Sequence, residues 1–335
     1  MSGEIIKQLA ILIVGFALLV KGADLFVDGA SGIAKKFGIS ELIIGLTIVA
    51  MGTSAPEAAV SIAAAAKGSA GISIGNVIGS NIMNIFIILG VVAAITPLKI
   101  ERSTVRYEMP FTIIVTVLFV MMGKDGLLTR MDGAILWAGL LLYLAYLLRQ
   151  AKQKPAEAPA QAESLAESAA TVPDAAEAST TPATAAEAPS IWKLIALTIV
   201  GLAVILVSSD YAVDAAVALA KIFNISDRVI GLTIVALGTS LPELVTSVTA
   251  ALRGNADLAV GNVVGSCIFN LLFVLGTSAL ILPIPCAPNF LSDAYVAVGA
   301  TVLLLLFGFT QMKIARWEGV LLVACYVAYA YVALV

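Results

Sequence analysis

The chain has 335 residues, of which 60% are hydrophobic and 12% charged, with a formal net charge of -3. Soluble domains carry about a quarter charged residues, so most of this chain belongs in lipid, and no basic patch suits nucleic acid. There is no histidine, and the three cysteines, Cys267, Cys286 and Cys325, have neither paired nor metal-site spacing; histidine-bound zinc, haem ligation by histidine and a serine-histidine triad are excluded.

Apolar runs of about 20 residues are needed to cross a hydrocarbon core about 30 Å thick. In chain order they fall near 8–27, 41–66, 71–97, 105–123, 130–149, 191–209, 226–252, 256–283, 291–311 and 315–334. This predicts an all-α membrane protein with ten transmembrane helices. The first run follows Lys7 and resembles a signal peptide, but it recurs at the start of the second half and is expected as a retained helix.

An internal repeat organises these spans. A shift of 186 aligns Ile13–Asn84 with Ile199–Asn270 without a gap, and 37 of the 72 positions are identical. GLTIVAMGTSAPE at 45 matches GLTIVALGTSLPE at 231, and GNVIGSNIMN at 75 matches GNVVGSCIFN at 261. Five spans per copy is an odd number, so the second copy enters the membrane in the opposite sense and the repeats are inverted, as in many secondary transporters. The expected division is a first five-helix repeat at 1–149, a linker at 150–190 and a second repeat at 191–335. The linker, rich in Ala, Pro, Glu, Ser and Thr and without aromatic residues, reads as a disordered tether.

With the N-terminus outside, thirteen of the 19 Lys and Arg residues fall on the inner side, among them Lys35, Lys36, Lys99, Arg102 and Arg253. That bias predicts both termini outside and a cytoplasmic linker.

Glu57 lies deep in the second span and Glu243 at the same depth of the seventh. A carboxylate there costs several kcal/mol unless paired or wetted. A structural salt bridge is opposed by the charge inventory, because spans two, three, seven and eight contain no basic residue except Lys67, Arg228 and Arg253 at their ends. Polar side chains recur at helical spacing around each acid: Thr53, Glu57 and Ser61; Asn76, Ser80 and Asn84; Thr239, Glu243 and Ser247; Asn262, Ser266 and Asn270. Any one of these hydroxyls or amides taken alone reads as helix packing; four matching stripes read as a site. Pro56 and Pro242 precede the acids and should break both helices, freeing carbonyls that a cation can occupy. Gly75, Gly79, Gly261 and Gly265 are read as packing positions that bring the glutamate helices together. Carboxylates, amides, hydroxyls and carbonyls are hard oxygen donors of the kind that bind Ca²⁺, whereas soft metals want sulfur or imidazole.

GTSAPE and GTSLPE, each followed by GNVIGSN or GNVVGSC, resemble the two alpha-repeats of the sodium/calcium exchanger family. The resemblance covers both halves and leaves out only the linker. It implies cation ligands at Glu57 and Glu243, with Thr53, Ser54, Ser80, Thr239, Ser240 and Ser266, the carbonyls of Ala50 and Ala236, and Asn84 and Asn270 lining the centre. It further implies Na⁺ and Ca²⁺ as transported partners, a bacterial inner membrane location, no cofactor, no enzymatic activity and function as a monomer. Some family members carry an aspartate where this chain has Asn270, so the site charge here is -2 with both glutamates ionised. Calcium/proton exchange and a passive cation channel are the alternatives. Asp24, Asp28, Asp210 and Asp214 are expected to be solvated or capping. Trp137, Trp192, Trp317, Tyr107, Tyr143 and Tyr146 are expected to anchor span ends at headgroups.

Overall fold

The computed structural model describes residues 2–68, 70–153, 189–223 and 236–334. Most of the expected tether, 154–188, and the start of the expected seventh span lie outside the described residues.

Twelve helical segments follow in order among the described residues. They are α1 (Ser2–Phe37), α2 (Glu41–Thr53), α3 (Ala55–Ala66), α4 (Ala70–Ile95), α5 (Thr104–Asp125), α6 (Arg130–Gln153), α7 (Ile191–Ile222), α8 (Ala236–Thr239), α9 (Leu241–Leu252), α10 (Ala256–Ile281), α11 (Pro288–Gln311) and α12 (Arg316–Leu334). Among the described residues seven are long and apolar enough to cross a membrane singly, and α2 with α3 forms an eighth span bent by 49°. The 19-residue α12 stands where the tenth span is expected, and α8 with α9 makes up the described part of the seventh. Two helices outrun the expected spans: α1 continues to Phe37 and α7 to Ile222, with Lys35, Lys36 and Lys221 in their last turns, where positive charge suits a helix C-terminus.

The two long helices pack on each other as an antiparallel pair. Gly15, Gly22 and Gly29 of α1 face Ala212, Ile205 and Thr198 of α7, so one chain rises as the other falls. A Cβ added at Gly201 would stand 2.5 Å from the Phe26 nitrogen and 2.8 Å from the Gly22 oxygen. Small residues matter here because lipid offers no hydrophobic drive for helix association, and close backbone approach supplies the dispersion that does. Since α1 and α7 are copies of one sequence, their antiparallel packing is the structural form of the inverted repeat.

The symmetry extends past Asn84, where sequence identity becomes sparse. Wide π turns occupy Asn84–Leu89 and Asn270–Leu275, 186 residues apart. Two short ribbons, absent from the all-helical expectation, obey the same spacing: β1 (Leu98–Lys99) pairs with β4 (Lys313–Ile314), and β2 (Leu127–Leu128) pairs with β3 (Ile284–Pro285), both antiparallel. Gly126 and Met312, again 186 apart, both adopt left-handed backbone, with φ of 88° and 51°. Gly90 of α4 packs on Gly319 of α12, and Gly276 of α10 on Gly133 of α6; these two contacts are also repeat mates. Each repeat therefore closes its outer helices over the other, and the β ribbons tie the connections at both ends.

The interior belongs to α4 and α10. In α10 94% of its most apolar window is buried and in α4 72%, against 28% in α7 and 33% in α1. Gly261 and Gly265 let α10 approach α2, where added Cβ atoms would lie 2.8 Å from the Leu42 oxygen and the Ala50 Cβ. The half-helices α2, α3, α8 and α9 pack around this pair, so spans two, three, seven and eight form the centre. The acids thus sit on the central four spans, and apolar side chains such as Ile13, Val14, Leu142 and Leu148 face outward.

Alanine in place of helical glycine is ordinarily favourable by about 1 kcal/mol, but overpacking costs about 1–3 kcal/mol. Gly201→Ala should therefore lower the thermal unfolding midpoint in detergent, whereas Gly299→Ala, whose Cβ meets nothing within 4 Å, should leave it unchanged or raised. Equal shifts for the two variants would contradict the close α1–α7 packing.

Candidate ion-binding site

The site begins with two breaks in otherwise apolar helices. The second span stops being helical at Ser54 (φ -80°, ψ 9°) and resumes at Ala55; the seventh breaks at Ser240 (φ -90°, ψ 5°) and resumes at Leu241. Pro56 and Pro242 occupy the first turn of the resumed helices, where a missing N–H is harmless. Glu57 and Glu243 follow, in the first turns of α3 and α9, so each carboxylate sits at the positive end of a helix dipole. The ends of α2 and α8 bring backbone carbonyls to the same level.

Each carboxylate is held by the serine at the opposite break. Ser54 Oγ donates to Glu243 Oε1 at 2.8 Å, and Ser240 Oγ donates to Glu57 Oε1 at 3.2 Å. The acids thereby meet across the repeat interface, 1% and 0% exposed. Two amides brace them from below. Asn76 Nδ2 donates to Ser61 Oγ at 2.9 Å and to the Glu57 carbonyl at 3.2 Å; Asn262 Nδ2 donates to Ser247 Oγ at 2.9 Å and to the Glu243 carbonyl at 3.4 Å. Thr53 Oγ1 lies 3.0 Å from Asn262 Oδ1, to which it can donate, and Ser266 Oγ donates to the Ala50 carbonyl at 3.5 Å.

Among the described residues, four buried oxygens on the two acids and the two stripe-end amides have no hydrogen-bond donor: Glu57 Oε2, Glu243 Oε2, Asn84 Oδ1 and Asn270 Oδ1. They form two repeat-related pairs. A buried acceptor without a donor costs about 1–3 kcal/mol, more when charged, and oxygens of this kind are the donors that hard cations take. Among the described residues no three His, Cys, Asp or Glu side chains converge, so the donor set is two carboxylates among neutral oxygens.

The expected residues divide as follows. Ala50, Thr53, Ser54, Glu57, Ser80, Asn84, Ser240, Glu243, Ser266 and Asn270 are all buried. Thr239 is half-buried and lines a cavity, and Ala236 contributes the first residue of α8. One bridge escaped the helical spacing. Asn270 Nδ2 donates to Asn81 Oδ1 at 3.2 Å, and Asn81 Nδ2 donates to the Cys267 carbonyl at 3.1 Å. Asn81 is one position off the Asn76, Ser80 and Asn84 stripe, and only the meeting of α4 with α10 brings it to the other repeat.

Three expectations need correction. Asp24 and Asp28 are not simply solvated, because they pair with Arg253. Tyr143, Tyr146 and Trp137 are not headgroup anchors: Tyr143 is 5% exposed, Tyr146 donates to Glu108 Oε1 at 2.9 Å, and Trp137 donates to Thr277 Oγ1 at 3.0 Å. Trp192 and Trp317 are exposed, as anchors should be. Glu108 is a third fully buried acid that the span count passed over, since it stands near the start of α5. Its repeat mate is Ala294, so it belongs to no symmetric site.

Known proteins resemble this chain over most of its length. The profile of the family described as sodium/calcium exchanger protein matches residues 7–151 and 193–335. The chain is 40% identical over 324 residues to a putative antiporter, CaxA, of Alkalimonas amylolytica, covering 96% of each. It is 37% identical to the sodium/calcium exchanger MaX1 of Methanosarcina acetivorans, over 95% of this chain and 96% of the relative. It is 39% identical to the inner membrane protein YrbG of Escherichia coli over 82% of this chain and 80% of the relative. Among solved structures, the sodium-calcium exchanger NCX_Mj soaked with 2.5 mM Na⁺ and 10 mM Sr²⁺ superposes with a TM-score of 0.77 at 34% identity, over 97% of this chain and 98% of that one. The same exchanger soaked with zero Na⁺ and Ca²⁺ gives a TM-score of 0.79 at 33% identity, over 99% and 100%. With the broken helices and paired acids already in place, these likenesses lead to one conclusion: the chain is a multi-pass membrane transporter that belongs to the sodium/calcium exchanger family.

Proposed function

We propose that the protein is a secondary antiporter that exchanges Na⁺ for Ca²⁺, both bound at the site between Glu57 and Glu243. The observation that carries this reading is the set of four donor-less oxygens on Glu57, Glu243, Asn84 and Asn270, arranged in two repeat-related pairs. Ca²⁺ takes 6–8 oxygens at about 2.3–2.6 Å. Those four, the hydroxyls of Thr53, Ser54, Ser80, Thr239, Ser240 and Ser266, and the carbonyls of Ala50 and Ala236 exceed that number, so Na⁺ and Ca²⁺ would draw on overlapping subsets. Sharing the two carboxylates makes the ions compete, and loading by one releases the other.

Exchange proceeds by alternating access, with the α1–α7 pair moving as one body against the central spans. The termini lie outside and the 150–190 tether in the cytoplasm of a bacterial inner membrane, a reading supported by the basic residues gathered on one side. The monomer holds the whole site, since both repeats are in one chain.

With a site charge of -2, one Ca²⁺ neutralises the acids and three Na⁺ leave one positive charge. Exchange in that ratio moves net charge, worth about 2.3 kcal/mol per 100 mV.

Glu57→Gln with Glu243→Gln should reduce Na⁺-driven ⁴⁵Ca²⁺ uptake into proteoliposomes by roughly 100-fold or more, because ligand charge sets affinity for Ca²⁺; intact uptake would discard the site. A K⁺ diffusion potential of 100 mV should change the equilibrium Ca²⁺ ratio by about 50-fold, and a ratio indifferent to voltage would exclude the three-to-one coupling. Uptake driven by a pH gradient in the absence of Na⁺ would instead select proton exchange, and unitary current steps in a planar bilayer would select a channel.

A further inference from the structure

The repeats share one sequence plan but not one state of packing. On one side of the molecule α1 lies directly against α9. The repeat mate of that contact would be α7 against α3, yet between them is a cavity of about 580 Å³ lined by Pro56, Ala59 and Val60 of α3 and by Ser209, Asp210 and Asp214 of α7. Thr239 also lines it, so the cleft reaches the level of the glutamates.

The closed side is fastened by charge. Arg253, just past the end of α9, forks between two acids one turn apart on α1: its Nη2 lies 2.6 Å from Asp24 Oδ1, and its Nη1 contacts Asp28 Oδ1. Asn255 adds a hydrogen bond to Ser31 Oγ at 2.9 Å. The spacing of 186 that relates the repeats carries Asp24 to Asp210, Asp28 to Asp214 and Arg253 to Lys67. All three mates are exposed, with the aspartates on one wall of the open cleft and Lys67 just past the end of the other wall, α3. Among the described residues none of the three makes an ion pair.

We infer that Arg253 and Lys67 are positioning residues of the transport cycle, each latching one access state by taking the aspartate pair of the facing long helix. Arg253 holds α1 on α9 and shuts one face; Lys67 takes Asp210 and Asp214 when α7 closes on α3 and shuts the other. The inference rests on the alternating-access reading above. Because α1 and α7 are locked together by their glycine contacts, both aspartate pairs ride on one body, and making one latch breaks the other. Exchange of interface salt bridges is a recognised way to make two packings discrete states. The two latches differ in strength: a guanidinium spans two carboxylates at once, whereas an ammonium is a point charge. Partly exposed pairs shift populations only about fivefold or less, which suffices where the end states are nearly balanced.

The test uses a chain whose three cysteines are replaced by serine, with one reporter cysteine at Val60→Cys in the cleft or at its mate Thr246→Cys, a residue fully buried here. Labelling of each reporter by a maleimide is followed in proteoliposomes. Arg253→Gln should slow labelling at Val60→Cys and speed it at Thr246→Cys by about threefold or more, Lys67→Gln should shift both in the reverse direction, and Arg253→Lys should fall between. A variant that merely loosened the fold would speed both reporters. Lys67→Cys with Asp214→Cys should form a disulfide that stops transport until reduced. Rates unchanged at both reporters, rates rising together, or no cross-link would overturn the inference. Labelling reports which face is open and not which ion crosses, so absent Na⁺-driven Ca²⁺ flux would sink the exchange proposal and leave this result standing.

Discussion

Two carboxylates buried between inverted copies of one helix hairpin are the constraint that the rest of the structure serves. An isolated carboxylate at that depth is costly, and two close together are costlier. The chain meets this with serines donated across the repeat interface, helix N-termini aimed at both acids, and amides that brace the backbone beneath them. The serines satisfy one oxygen of each acid, and among the described residues the other carboxylate oxygen, like the amide oxygens of Asn84 and Asn270, is left without a hydrogen-bond partner. A fully satisfied pair would have nothing left to offer an ion; a half-satisfied pair keeps the oxygens that the proposed cation site draws on.

Packing makes that arrangement possible without a hydrophobic drive. Glycine contacts at Gly261 and Gly265 set α10 against α2, Gly90 with Gly319 and Gly133 with Gly276 interlock the repeats, and Gly22 with Gly201 weld α1 to α7. The first two groups fix the central spans. The third builds a separate body whose contacts with those spans differ at the two faces, direct at α9 and parted at α3. A twofold sequence plan in a molecule that is not twofold in its packing has two equivalent ways to be asymmetric, which is what the proposed alternating access requires.

The ligand chemistry also bounds what the family resemblance can carry over. Amides at both Asn84 and Asn270 leave Glu57 and Glu243 as the two acids among the candidate ligands. Asn270 is further held by Asn81, so its side chain is oriented by the opposite repeat rather than free to swing. Glu108, buried beside Tyr146, stands outside this plan because nothing at its repeat mate answers it.

Hydropathy and the 186-residue repeat determined the membrane class, the helical spans, the inversion and the two acids, because span length and depth are local properties that a single strand of sequence displays. The proline before each glutamate likewise announced the breaks at Ser54 and Ser240. The sequence could not display which partner each polar group finds. Serine-to-glutamate exchange across the repeats, the Asn81 bridge, the β ribbons and the pairing of Arg253 with Asp24 and Asp28 all join residues far apart in the chain, and they exist only once α4, α10 and the long helices are packed. Ion pairing also turned aspartates expected to be solvated into a fastening, since α1 packs on α9 and brings both alongside Arg253. Periodicity reports which face of a helix is polar; only tertiary contact decides what that face meets.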